Sequence, residues 1–246
     1  MRRENGFTLI ELLVVIAILS LLVSLLLPSL SKAKELAKEV QCAVLLRNFG
    51  TANHLFAQDH EERFLPVRTD RDWPKNPTND NINWYRNDDF RALLHATRIS
   101  WDARYRWDPK FLCPMSGRGP SLIQPDGTVS PEKYYGYNIT GVGAQDEFNE
   151  RMNAGVRITD VYAMGEKLMF ADGLYDRLDR RASCNYKDEF SGSNGIYTGT
   201  ASTYIAAYRH RGGLNIVYFD GHAGWRSREE TDTSYRDVTG LWNFIK

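Results

Sequence analysis

Residues 7–27 read FTLIELLVVIAILSLLVSLLL, an almost unbroken apolar run holding one carboxylate, Glu11, near its start. As a helix at ~1.5 Å per residue, such a run covers ~30 Å, the hydrocarbon thickness of a bilayer. A charge inside such a span costs at least ~2.5–3.5 kcal/mol at the centre, so it calls for a partner. The plainer account is that Glu11 lies close enough to the helix end to reach the interface.

The residues before the run argue for a partner. The leader Met1-Arg2-Arg3-Glu4-Asn5-Gly6 is short and basic, and it closes on a glycine next to Phe7. A secretory signal is cut after its apolar stretch, at small residues. Here the plausible cut precedes the stretch, between Gly6 and Phe7. It would place a free α-amine on Phe7 beside an apolar helix, with Glu11 the one carboxylate in the run. Glu11 could meet the amine of its own chain or that of a neighbouring, slightly staggered subunit. The second arrangement is an assembly device.

The segment G-F-T-L-I-E-L-L-V-V-I-A-I resembles the prepilin family, that is, the type IV pilins and the pseudopilins of type II secretion systems. The resemblance implies that Gly6 precedes the prepilin-peptidase cut, that the new amine of Phe7 is methylated, and that Glu11 serves assembly. Pro28 matches a helix-kinking proline seen in many members. The likeness covers about the first 30 residues and does not extend to what the remainder displays.

Composition bounds that remainder. Without residues 1–6 the chain carries 29 basic and 30 acidic residues, a balance that gives no case for nucleic-acid binding. Aromatic residues make up 12% of the chain, with six Trp and thirteen Tyr. They suit a recognition surface or, more plainly, the core of a small sheet domain. There are three cysteines, Cys42, Cys113 and Cys184. In an oxidising compartment one pair could bridge, and a Cys42–Cys113 bond would tie the long helix to the head, but spacing does not choose among three pairings. No spacing is a zinc pattern, which argues against a metal site built on cysteines.

Beyond Pro28 the run becomes amphipathic. Ala33, Ala37, Val40 and Val44 form one register, and Leu45, Phe49, Ala52 and Phe56 a second. The pattern predicts one helix from about Thr8 to about Gln58, with Pro28 able to bend it and Gly50 to soften it. Residues 66–89 read as a long surface loop. Its Asp70, Asp72, Asp80, Asn81, Asp88 and Asp89 offer oxygen ligands, but without the spacing and central glycine of an EF-hand. Residues 90–97 read as a short helix, and Arg104-Tyr105-Arg106-Trp107 as a half-buried strand in preference to a ligand platform. Five short strands are expected at Tyr134–Asn138, Lys167–Ala171, Tyr204–Arg209, Leu214–Phe219 and Ala223–Arg226. Turns at Asp172-Gly173, Gly212-Gly213 and Asp220-Gly221 punctuate them, and the last three strands read as a meander.

A second resemblance follows. His210 stands ten positions before Asp220-Gly221, which looks like the His, nine residues, Asp-Gly motif of a large bacterial family of prepilin-like proteins with a C-terminal β domain. Leu112-Cys113-Pro114, Tyr135-Gly136-Tyr137-Asn138 and Leu168 through Asp172-Gly173 agree with it. The strand between His210 and His222 spans ~20 Å, so a His–His–Asp metal triad is disfavoured. The favoured reading is a turn in which Asp220 caps the amides of Gly221 and His222, while His210 ties its own turn to a neighbouring loop.

The expected protein is α+β and pilin-like, with a long N-terminal helix, transmembrane and then amphipathic, packed on an antiparallel β-sheet head. Its parts are a leader (1–6), a membrane or filament-core helix (7–28), its amphipathic continuation (29–60) and a globular head (61–246). The implied role is structural: a subunit of a pseudopilus or pilus-like filament, with no catalytic residues, metal or cofactor. Its partners would be prepilin peptidase, other pilin-like subunits and the inner membrane, with the head extracytoplasmic. The alternative is a singly anchored module whose head binds polysaccharide or protein cargo.

Overall fold

The computed structural model describes residues 8–69, 82–96, 107–115, 127, 129, 135–138, 155–173, 177–178, 206–231, 240–242 and 244. By contacts the chain divides into two compact units, up to Lys38 and from Glu39 onward.

The first helix, α1, runs unbroken over Leu9–Asp59, through both Pro28 and Gly50. Its apolar first half satisfies its few hydroxyls within itself. Ser20 Oγ donates to the Ile16 carbonyl at 2.7 Å, and Ser24 and Ser29 donate to Leu21 and Leu26 at 2.7 and 2.8 Å. Side chains from Leu9 to Leu30 are exposed, Leu9 at 80%. Among the described residues α1 is the one helix long and apolar enough to cross a membrane, by length and composition.

From Glu39 onward α1 buries Cys42, Leu46, Phe49, Gly50, Ala52, Asn53, Phe56 and Ala57. Of the two registers expected from sequence, Phe49, Ala52 and Phe56 of the second are buried, while the first is corrected: Val40 and Val44 are exposed, and Cys42 and Leu46 face the core. The true stripe steps Cys42, Leu46, Phe49, Asn53, Phe56. Asn53 is fully buried and bonded on both sides: its Oδ1 accepts the Leu65 amide at 2.7 Å, and its Nδ2 reaches Tyr137 Oη and Met169 Sδ at 3.2 Å each.

The remaining elements are β1 (Arg68–Thr69), β2 (Ile82–Asn83), α2 (Asp88–Leu93), β3 (Tyr135–Asn138), β4 (Leu168–Asp172), β5 (Arg177–Leu178), β6 (Gly213–Tyr218) and β7 (Ala223–Ser227). β1 and β2 pair with each other, and the main sheet has the order β5-β3-β4-β6-β7. Its β3, β4, β6 and β7 are antiparallel neighbours, so the α+β architecture expected from the sequence is present. β5 departs from it by pairing parallel to β3. The expected strand at 204–209 is reduced, among its described residues, to one bridge between Ala206 and Gly173. Of the expected strand at 104–107, only Trp107 is described; it is fully buried and bridges Val129.

Phe49 of α1 is the centre of the larger core. Its ring meets Tyr135 at 5.2 Å, Trp84 and Trp107 at 5.8 Å each, and Phe170 at 6.0 Å, all edge-on. Gly50 beside it permits close approach, since a Cβ there would stand 2.7 Å from Val217 Cγ2 of β6. A second, smaller core holds Leu168, Ala171, Leu178, Ala206, Leu214, Ile216, Tyr218 and Trp242. The C-terminal segment closes both. Leu168 N donates to the Leu241 carbonyl, Asn138 Nδ2 to the Leu168 and Trp242 carbonyls, and Tyr162 N to the Phe244 carbonyl.

Candidate functional site

Two places gather the residues singled out by sequence. The first is the start of α1. Gly6 and Phe7 lie outside the described residues. Glu11 sits in the first turn, where its Oε2 accepts the Thr8 amide at 2.9 Å and the Thr8 hydroxyl at 2.7 Å. Thr8 Oγ1 in turn accepts the Glu11 amide at 3.3 Å. This is a reciprocal capping box, which satisfies helix N–H groups that have no partner of their own and places a negative charge at the positive end of the helix. The Thr8-Leu9-Ile10-Glu11 spacing carried this signal, and the reading of Glu11 as needing only an amine missed it.

The second place is a buried polar junction of α1, the chain around Cys113, the end of β4 and the turn before β6. The turn is a two-residue hairpin. His210 and Gly213 exchange backbone bonds at 3.0 and 2.9 Å, with Arg211 and Gly212 at φ +52° and +74°. Glycine takes that backbone freely, whereas Arg211 does so against a steric penalty. Arg211 is held there by a bidentate pair with Glu39 of α1 at 2.6 and 2.7 Å. Trp225 Nε1 donates to the His210 carbonyl at 2.7 Å, which fixes the turn from the β7 side.

This turn drives His210 inward. Its Nε2 stands 3.1 Å from Asp172 Oδ2 and 3.5 Å from Cys113 Sγ, and the His210 and Asp172 side chains are fully buried. Asp172 also accepts the Asn215 amide at 2.8 Å, and Arg209 Nη2 donates to the Gly173 carbonyl at 2.8 Å. Burial alone would lower the His210 pKa. The Asp172 charge and hydrogen bond overcome that and push it up to about 10. Tyr135, also buried here, has its phenol held well above its ordinary value, first by burial.

Cys42 and Cys113 complete the junction, both fully buried, with their sulfurs 2.6 Å apart. The Cys113 contact and then burial push the Cys42 thiol up. Burial would also raise Cys113, but its bonds to Cys42 and His210 bring it down. One ligand atom each from Cys42, Cys113 and His210 falls within 4.8 Å of the others. The sequence spacing had argued against such a convergence; the fold makes it from residues far apart in the chain. Cys184 lies outside the described residues.

Asp220 and Gly221 do not join His210. Asp220 Oδ1 accepts the His222 amide at 3.0 Å and meets the His222 ring Nδ1 at 2.6 Å, and Gly221 takes φ +90° in the turn. Partial burial works against Asp220, yet the His222 bonds hold its carboxyl below the usual range. Asn138 acts as a clamp on the C-terminal segment. Of the acidic residues weighed for calcium, Asp88 and Asp89 open α2, where negative charge favours the helix start; Asp70, Asp72, Asp80 and Asn81 lie outside the described residues.

Comparison with known proteins bears on the first place. Residues 1–27 match the prokaryotic N-terminal methylation motif. The chain is also 35% identical over 67 residues to the competence protein ComGC of Halalkalibacterium halodurans, a stretch that is 27% of this chain and 64% of that relative. The chain thus spans less than two thirds of the length of the curated relative it matches. No solved structure matches. These likenesses support a pilin-like protein carrying a prepilin-type N-terminus.

Proposed function

We propose that the chain is a structural subunit, cut by prepilin peptidase between Gly6 and Phe7 and assembled through α1 into a pseudopilus or pilus-like filament. The match of residues 1–27 to the N-terminal methylation motif carries this reading. Within it, both bonds that Glu11 accepts from Thr8 fall on Oε2, and Oε1 is the atom offered to the Phe7 amine of a neighbouring subunit. The exposed apolar half of α1 forms first a single membrane span and then the filament core. The head, with its buried His210 and its Asp220-Gly221 turn, stands on the extracytoplasmic side. Of the described tryptophans, Trp84, Trp107 and Trp242 are fully buried and serve the core, while Trp225 is exposed at 36%.

Mass spectrometry of the N-terminus, on protein taken from its native membranes, tests the processing step. A mature chain starting at N-methylated Phe7 is expected, and an intact Met1 would reduce α1 to a simple anchor. Cysteines engineered along residues 10–25 test assembly. Cross-linking should produce a ladder of oligomers that Glu11→Ala abolishes without preventing cleavage. A chain that stays monomeric under cross-linking would overturn the filament reading.

A further inference from the structure

Cys42 and Cys113 are 71 positions apart, yet the fold sets their sulfurs 2.6 Å apart in a fully buried place. Each is held by contacts of its own. The α1 side is fixed by the Arg211–Glu39 pair and by Asn215 Nδ2, which reaches the Glu39 carbonyl at 3.4 Å. The Cys113 side is fixed by Phe111 and Trp107, both packed against Phe49. Two unbonded sulfurs do not approach so closely. Two thiolates sharing a tetrahedral zinc, each ~2.3 Å from the metal, would stand ~3.7 Å apart. A bonded pair stands ~2.05 Å apart, and the observed separation is nearer to that value. A metal is further disfavoured by His210: the nitrogen nearest Cys113 is the one that donates to Asp172, so it has no lone pair to offer.

We propose that Cys42 and Cys113 form a disulfide that staples α1 to the head, with Cys184 outside the pair. The bond forms by exchange with an oxidant of the disulfide class, a small-molecule or protein disulfide. The Cys113 thiolate attacks one oxidant sulfur, making a mixed disulfide and releasing one thiolate. The Cys42 thiolate then attacks the Cys113 sulfur and releases the second. Two protons pass from the cysteines to the departing thiolates, the cysteines are oxidised, and the oxidant is reduced to two thiols. Exchange takes place while the pair is still open to solvent, before the core closes over it. In the cell this requires the oxidising side of the membrane and so rests on the reading above. The pairing itself is a property of the isolated chain.

The full-length protein, unfolded in denaturant and refolded into detergent in a buffer of oxidised and reduced glutathione, tests the pairing apart from its location. Free thiols are then alkylated in denaturant, and the chain is digested with trypsin without reduction. The expected product joins peptide 39–47 to peptide 111–118 and is lighter by two hydrogens than the two together, with peptide 182–187 alkylated. Cys184→Ala should leave the linked product unchanged. Recovery of 39–47 and 111–118 as separate alkylated peptides would overturn the proposal. So would a link to Cys184, or free thiols accompanied by one bound zinc per chain. Protease accessibility of the head in intact cells reports location separately, so failure of the filament reading and failure of the pairing are told apart.

Discussion

The His210 imidazole meets the Asp172 carboxylate at 3.1 Å with neither side chain reaching solvent. The folded state therefore favours the protonated ring, held at about 10 against an ordinary 6.5 by the Asp172 charge and hydrogen bond working against burial. A folded pKa raised in this way contributes stability that is complete below about 6.5 and is lost as pH rises through about 10. Thermal melts of the detergent-solubilised chain should fall across that window, and Asp172→Asn should flatten the decline. A wild-type curve as flat as the variant's would show that the pair does not titrate as assigned.

Asn53 tests the polar break in the helix stripe. Asn53→Leu keeps the branched heavy-atom skeleton but strands the Leu65 amide and the Tyr137 hydroxyl without their partner. Each buried unsatisfied group costs about 1–3 kcal/mol, so for the two a loss of about 2–6 kcal/mol is expected in denaturant unfolding. A neutral result would mean that water replaces the amide.

At Gly50 two effects oppose each other. Glycine in a helix interior is worse than alanine by about 1 kcal/mol, which would make Gly50→Ala stabilising on an open face. Here the new Cβ would lie 2.7 Å from Val217 Cγ2, a branched side chain in the sheet with little room to yield. Overpacking costs about 1–3 kcal/mol, so alanine should be mildly destabilising and valine clearly worse. The order glycine, alanine, valine in melting temperature is the readout.

Reduction of the Cys42–Cys113 bond should be felt globally. Closing a loop of 71 residues is worth about 4 kcal/mol in chain entropy. Melting in the presence of a reductant, with Cys42→Ser/Cys113→Ser as a second route, should fall by about 10 °C for a chain of this size. A wild-type protein whose melting ignores the reductant would not carry the bond.

Much of this architecture could be read in the sequence. α1 was legible as one helix because the apolar run passes into a three-four periodicity without a break stronger than Pro28 or Gly50. β4 and β6 were placed to within one residue because Asp172-Gly173, Gly212-Gly213 and Asp220-Gly221 mark the ends of apolar segments. β5 was not legible: its two residues carry no periodicity, and its parallel pairing with β3 depends on the path of the chain between them. Among its described residues, the expected first strand of the meander is reduced to the Ala206–Gly173 bridge, and the chain then turns His210 into the core. The His210–Asp172 contact joins residues 38 apart, and the approach of Cys42 to Cys113 joins residues 71 apart. The first was not visible, because it depends on the turn at 210–213 folding back beside the end of β4; the second was one of three open pairings, which spacing alone does not choose. The Thr8–Glu11 capping box is legible in the Thr-x-x-Glu spacing at the start of the apolar run.

The bonds that the Leu241, Trp242 and Phe244 carbonyls accept from the Leu168 amide of β4, the Asn138 side chain of β3 and the Tyr162 amide have a consequence for timing. Trp242 is fully buried, and Phe244 nearly so, among residues made much earlier in synthesis. Neither core can be completed while residue 244 is still unmade. The apolar half of α1 would thus be available to a membrane long before the head could acquire its final packing. Until then the growing chain would expose Phe219, Leu214 and Ile216 as unfinished surface, which makes its late intermediates the species most in need of protection from aggregation.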